Sequence, residues 1–413
     1  MTITAAAADA RTDPPSPIGD SVAHVIRSDA EAIETAGRTA ERLAAGAARR
    51  DRDRILPHQE IEIFSDSGLW AITVPKAFGG AGVSHVTLTE VVKIIADADP
   101  SLGQMPQNHF CLVDAIRLEG TAEQQAFFFA EILKGRRFGN AFSEAGGKHV
   151  LDIQTRLVRN GSGYLLNGRK FYSTGALFAH WVPVWALDEE GRGLLAFVER
   201  GAEGLTIIDD WSGFGQRTTA SGTVIAENVK VTPFQVVYSH RSFDRPTLAG
   251  PLAQIIQVAV DAGIARAAIR DTIAFVNQHS RPWADSQLER ANQDPFTIAQ
   301  VGDLEIRLHA AEALTERAAQ AIDAAVAAPN EDNVAAASVA VAEAKVMTTE
   351  IAILATNKLH ELGGTKSTLG HFNLDRHWRN ARTHTLHDPV RWKYFVVDNY
   401  VLNNVKPPRH AWL

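Results

Sequence analysis

NGSGYLLNGRKFYSTGA, residues 160–176, is where the chain changes character. Asn-Gly at 160–161 and again at 167–168 offers the backbone freedom that tight turns need. Around them, Tyr164, Leu165, Leu166, Phe171 and Tyr172 suit a pleated, half-buried surface. Similar runs follow: HWVPVWAL, LLAFVER, GLTIID and TVIAENVKV, with the turn DEEGRG at 188–193. Short strands closely spaced by turns predict a small antiparallel barrel or sandwich over 136–240.

Outside this block the pattern is helical. Residues 21–135 contain AEAIETAGRTAERLAAGAARR and TLTEVVKIIADADP, and Thr121-Ala-Glu-Gln124 predicts a capping box at the start of AFFFAEILKG. VPKAFGG (74–80), with paired glycines, separates helices. In 241–413 the helices lengthen. Leu252, Ile255, Ile256, Ala259, Val260, Gly263, Ile264 and Ala267 follow the spacing of one buried face. Val301, Leu304, Leu308, Ala311, Ala318 and Ile322 mark a second helix. A third opens at Asn330 and Asp332 and closes at Gly363-Gly364. Long amphipathic helices with short links predict an antiparallel bundle, and their many Ala residues predict close approach and burial against other subunits.

At 413 residues the chain is long for one core. A net charge of −7 argues against a general nucleic-acid surface. No apolar run suggests a membrane span, and residues 1–20 read as a disordered tail without a signal peptide. Cys111 is the single cysteine, so an internal disulfide is excluded and a reducing cytoplasm is the expected location.

Helical region, small β-domain, helical bundle: in this order the chain resembles the acyl-CoA dehydrogenase superfamily over nearly its whole length. The resemblance rests on VPKAFGG (74–80), GNAFSEAGG (139–147), GRKFYSTGA (168–176) and HELGGT (360–365). SRPW (280–283), DDWSGFGQRTTASG (209–222) and RNARTHTLHDPVRWKY (379–394) are similar to its dibenzothiophene monooxygenase branch, which includes sulfur-acquisition oxidoreductases. The resemblance implies a mostly α fold with a central β-domain: an N-terminal helical domain, a small β-barrel and a C-terminal four-helix bundle. It also implies a homotetramer that uses reduced flavin and O2 on a small organosulfur compound. A separate flavin reductase would supply the flavin, because no G-x-G-x-x-G follows a strand here.

Site roles follow from the resemblance residue by residue. Tyr172 and Thr174 would stack on the flavin and bind its N5 region; two apart on a strand, they would face one ligand. Asn140 and Ser143 would line the pyrimidine edge. Gly363 and Gly364 would contact a neighbouring subunit's cofactor. Arg281 matches an Arg that holds the FAD diphosphate, but Pro282 and Trp283 replace the Phe-Gly that follows it in the dehydrogenases. That favours FMN, with FAD the alternative.

The dehydrogenases need a carboxylate base. Asp388 takes its usual position, and Asp244 the position used by a smaller group; both are a methylene short, and Pro389 replaces the turn glycine. The base therefore reads as lost or repurposed. His387, beside it, can exchange a proton near neutrality and is the expected proton donor to flavin-bound oxygen, with Thr174 and Asn140 holding N5. His109 is expected to face the same pocket. Trp211 and Phe214 are nominated as pocket walls. His384 and His387, three apart, lack a third ligand at a familiar spacing, so no metal is expected and His384 reads as structural. The Pro-broken tail NNVKPPRHAWL is a candidate for docking on a neighbour. Two other functions remain open at this level. One is an FAD-dependent acyl-CoA dehydrogenase using Asp388 or Asp244. The other is a non-catalytic flavin-binding protein.

Overall fold

In the computed structural model, residues 23–410 are described. The expected disordered tail, 1–20, lies outside them. The N-terminal part carries α1 (Asp29–Ala44), α2 (Ala47–Asp53), α3 (His58–Asp66), α4 (His85–Ala98), α5 (Pro100–Gln104), α6 (Pro106–Glu119) and α7 (Ala122–Leu133). The capping box at Thr121 is formed: Gln124 N–H donates to Thr121 Oγ1 at 3.2 Å, and Thr121 N–H to Gln124 Oε1 at 2.8 Å.

The strands are β1 (Arg156–Asn160), β2 (Gly163–Lys170), β3 (Trp181–Leu187), β4 (Gly193–Glu199), β5 (Leu205–Ile208), β6 (Thr223–Val231) and β7 (Val236–Val237). They form one seven-stranded sheet in the order β5-β6-β2-β1-β3-β4-β7. All neighbours are antiparallel except β1 and β3, which meet in parallel at the single position Arg156↔Leu187. That thin seam lets the two halves share one core, in which Leu157, Leu166, Val224 and Val229 meet Val182, Val184, Ala196 and Val236.

The C-terminal part has three long helices, α8 (Ala249–Gln278), α9 (Pro295–Ala327) and α10 (Glu331–Gly363), then α11 (Asp375–His384) and α12 (Arg391–Asn403). Asn330 caps α10 by accepting from Asp332 N–H and Asn333 N–H, and Gly364 is its C-cap. α9 keeps a true stripe, burying Leu304, Leu308, Ala311, Ala318 and Ile322. α8 does not. Every residue from 250 to 265 is buried, because α4, α9 and α10 all pack on it. At Gly263 an added Cβ would lie 2.7 Å from Ala96 Cβ, so α8 and α4 approach closely. By length and composition α8 could cross a membrane, contrary to the sequence expectation, yet 94% of its most apolar window is buried inside the fold. Each fully buried Ile or Val on α8 contributes about 1.5–3 kcal/mol. Asp261, midway along it, would cost several kcal/mol unless paired.

Candidate active site

A cavity of about 940 Å³ opens where the β-domain meets α11 and α12. Its size suits a drug-sized or cofactor-sized ligand. Asn140, Ser143, Tyr172, Thr174, Trp211 and Phe214 line it from the β-domain side, and His384, His387 and Asp388 from the helical side.

The β-side wall is made by loops. β2 ends at Lys170, so Tyr172 and Thr174 do not share a strand face as expected. Both reach the cavity through a turn in which Tyr172 takes φ +58°, a costly backbone for an aromatic residue, and leaves its ring half exposed. Thr174 starts a hydroxyl chain: its Oγ1 is 2.6 Å from Ser221 Oγ, which is 2.7 Å from Thr219 Oγ1. Asn140 Nδ2 donates to the Tyr172 carbonyl at 3.2 Å and so braces the turn. The 209–222 loop is pinned from both ends. Arg54 pairs with Asp209 at 2.5 Å, and Gln216 N–H donates to Asn380 Oδ1 at 2.7 Å. Between them Gly215 lies so close to α11 that an added Cβ would sit 1.8 Å from the Arg379 carbonyl oxygen. Phe214 stacks on Trp378 at 5.8 Å between ring centres.

The helical wall is made by charge. Asp388 is 3% exposed; its Oδ2 lies 3.2 Å from Lys393 Nζ, and its Oδ1 lies 3.5 Å from His387 Nδ1. Burial disfavours its charge, but His387, Lys345 and Lys393 together hold the carboxyl well below the usual range. His387 is partly exposed. Three residues earlier, His384 is buried, with Nδ1 2.5 Å from Asp261 Oδ1. Asp261 Oδ2 accepts from Lys345 Nζ at 2.7 Å and from Thr349 Oγ1 at 3.2 Å. Against strong desolvation, Lys345 and His384 hold the Asp261 carboxyl below its ordinary value. Behind α12 the tail turns back onto its own chain rather than only outward. Lys406 Nζ pairs with Asp332 Oδ1 at 2.7 Å and Arg409 Nη1 with Glu331 Oε1 at 2.7 Å, while Pro408 and His410 line the cavity.

Several predicted residues lie elsewhere. His109 is fully buried away from the cavity, a correction to its expected place. Phe138 N–H donates to its Nδ1 at 3.1 Å and its Nε2–H to the Trp70 carbonyl at 2.8 Å, so both nitrogens are used. Burial carries its pKa down to about 4. Asp244 is also corrected: it is exposed in a short 3-10 turn, Ser239–Asp244, that precedes α8 and is not part of the cavity wall. Arg281, Gly363 and Gly364 are outside the cavity too, drawn together at the ends of α8 and α10 by Ser280, whose Oγ donates to the Leu362 carbonyl at 3.3 Å. Sequence reasoning missed Asp261, Lys345, Ser221 and Gln216. A signal existed for the first two, since a lone Asp in IIQVAVDAGIA and a lone Lys in AVAEAKVMTT must find partners if those helices are buried.

Buried polar atoms without hydrogen-bond partners gather on this cavity: Gln104 Oε1, Asn140 Oδ1, both Gln216 amide atoms, Thr383 Oγ1, His384 Nε2 and both Asp388 carboxylate oxygens, whose ion pairs are not matched by a hydrogen bond. Such groups are rare in folded proteins and call for a ligand that carries both donors and acceptors. Trp211, Phe214, Trp392 and Phe395 add apolar faces. A flat ring with a polar edge, such as a flavin, fits that combination.

Comparison with known proteins agrees. Acyl-CoA dehydrogenase domain families match in sequence order: the N-terminal domain at residues 30–136, the middle domain at 141–229 and the C-terminal domain at 255–392. Dibenzothiophene monooxygenase from Rhodococcus erythropolis is 33% identical over 398 residues, covering 92% of this chain and 95% of its own. The chain belongs to the acyl-CoA dehydrogenase superfamily. The probable FMNH2-dependent monooxygenase SfnC of Pseudomonas putida is 30% identical, over 91% of this chain and 96% of its own. FMN-bound TdsC of Paenibacillus sp. A11-2 superposes with a TM-score of 0.88 at 30% identity, over 92% of this chain and all of that one. This superfamily member is thus a flavin-dependent oxidoreductase with monooxygenase relatives, and its N-terminal helical, central β-sheet and C-terminal helical parts are the family fold. Asn140, Gln216, Gln104 and His384 would hold the polar edge of a flavin there, with Tyr172 and Trp211 beside its ring.

Proposed function

We propose that this chain is an FMNH2-dependent monooxygenase of small organosulfur compounds. The observation that carries the reading is the state of Asp388. A dehydrogenase base must be basic enough to take a proton, and this carboxylate is buried between Lys393 and His387, which with Lys345 pull its pKa down and so weaken it as a base. Bound reduced flavin would supply the two electrons that, with O2, place one oxygen atom on sulfur and release the other as water. The residues then serve that chemistry. The Thr174–Ser221–Thr219 chain ends on the Gln216 carbonyl, which takes the Thr219 proton, so the Thr174 oxygen is left to accept from the ligand's polar edge. His387, partly exposed beside Asp388, exchanges protons with solvent, and the aromatic walls keep water from the reacting centre.

FMN rather than FAD is supported by the FMN-bound relative TdsC and by the FMNH2 dependence named for SfnC. A separate reductase would deliver the flavin. Exposed apolar side chains on α12 and α9, among them Val401, Leu402, Phe296, Ile298 and Ile306, support a homo-oligomer, for which we propose a tetramer. In that assembly Arg281, Gly363 and Gly364 of one subunit would meet the cofactor of another. A cytoplasmic location completes the proposal.

The test is a stopped-flow experiment. Protein loaded with reduced FMN under nitrogen is mixed with oxygenated buffer, with and without thioethers and sulfones. Slowed reoxidation relative to free flavin, with oxygenated sulfur product, supports the reading. Reoxidation at the free-flavin rate, together with bleaching of bound FAD by an acyl-CoA, would sink it.

A further inference from the structure

His384 carries two facts that a purely structural histidine would not combine. It is nearly sealed from solvent, yet it lines the cavity and its Nε2 has no partner. Its Nδ1 is 2.5 Å from Asp261 Oδ1, and the other Asp261 oxygen is taken by Lys345 at 2.7 Å. Asp261 and Lys345 are both 0% exposed and come from the middles of α8 and α10. Two charges in the cores of two apolar helices are expensive to bury and do nothing for packing that a Leu pair would not do better.

The geometry points to Asp261 and Lys345 as positioning residues that fix His384 in its Nδ1–H form, so that Nε2 offers a bare lone pair to the cavity. A carboxylate can only accept, so the nitrogen facing Asp261 must carry the proton. The local charges then balance without His384. Asp261 and Asp388 are negative, Lys345 and Lys393 positive, and the nearest further titratable group, His387, is partly exposed. Burial, with Lys345 and His387 nearby, outweighs the pull of Asp261 and holds the imidazole below its usual pKa. His384 would therefore accept a hydrogen bond from an N–H or O–H of the bound ligand and could take up that proton. His387, three residues on and partly open to solvent, is the group suited to proton exchange with water. The kinetic arm of the test rests on the monooxygenase reading; the tautomer does not.

The experiment is solid-state ¹⁵N NMR of the full chain carrying ring-labelled histidine, with His384→Gln subtraction to assign the signal. The expected result is a protonated Nδ1 and a bare Nε2. A protonated Nε2 in the native protein overturns the proposal. In Asp261→Asn the new amide must give its carbonyl oxygen to Lys345, which has no acceptor, and turn its NH2 toward His384. The expected shift is reversal of the tautomer. Turnover falls roughly 100-fold or more, as when an orienting carboxylate beside a catalytic histidine is lost, while FMN affinity changes less than about threefold, well under a tenfold step. Reversal with unchanged turnover overturns the functional half. Should that variant fail to fold, Lys345→Met leaves an uncompensated carboxylate, and His384 is expected to become doubly protonated. An unaltered His384 signal there overturns the proposal too.

Discussion

The two walls of the cavity are stabilised by different physics. On the β side, Tyr172, Gln216 and Ala220 all hold positive φ, and neutral hydroxyls and amides do the bonding. On the helical side, from Thr383 to Val396, no residue holds a positive φ, and the cost is buried charge: Asp261, Lys345, Asp388 and Lys393 are each 3% exposed or less. The first wall is shaped by loops that must be held still from outside. The second is shaped by ion pairs that hold each other. Damage should therefore spread differently in each.

The helical wall should be the more fragile to a single change. Lys393→Met strands the Asp388 carboxylate, and we expect a loss of about 3–5 kcal/mol in urea unfolding. The double variant Lys393→Met/Asp388→Leu should recover most of it. If the single variant is as stable as the parent, the charge account of this wall is broken. Next is Gly215→Ala, where a new Cβ meets the Arg379 carbonyl. A cost of about 3 kcal/mol is expected, with Trp211 fluorescence reporting a displaced loop. Thr174→Val removes the head of the hydroxyl chain; turnover should fall about 10–100-fold with folding changed by roughly 1 kcal/mol, separating ligand binding from packing on this side.

The smallest effect on flavin binding belongs to neither wall and serves as their control. His109 is neutral in the fold, with its pKa carried from 6.5 to about 4 by burial. The unfolded chain therefore binds one more proton between those values, and stability contributed above pH 6.5 is lost as pH falls toward 4. His109→Gln should flatten that slope by up to about 1.4 kcal/mol per pH unit without altering flavin binding. A large change in flavin binding would return His109 to the site.

Most of the architecture is legible in the sequence because turns, caps and period leave local marks. The capping box at Thr121 and the C-cap at Gly364 are examples. What is not legible is what depends on contacts between distant segments. α8 reads as one-faced because its polar neighbours Gln254, Gln257 and Asp261 interrupt the apolar pattern; in the fold all three are buried, and the meeting of α8 with α10 and α11 explains Asp261. Tyr172 and Thr174 reach the cavity, but by a turn whose positive φ no strand rule anticipates. His109 and His384 show the limit from both sides. Each is a histidine in a helical run, and only their partners, two backbone groups for one and a carboxylate for the other, separate a strut from a cavity-facing acceptor.

The tail latch at Lys406–Asp332 and Arg409–Glu331 has a practical corollary. Pro408 and His410 line the cavity, so the two surface ion pairs that hold the tail also fix that stretch of its wall. Concentrated salt, which screens such surface pairs, would loosen that stretch of the wall. Assays run at different salt concentrations would then compare two differently walled sites.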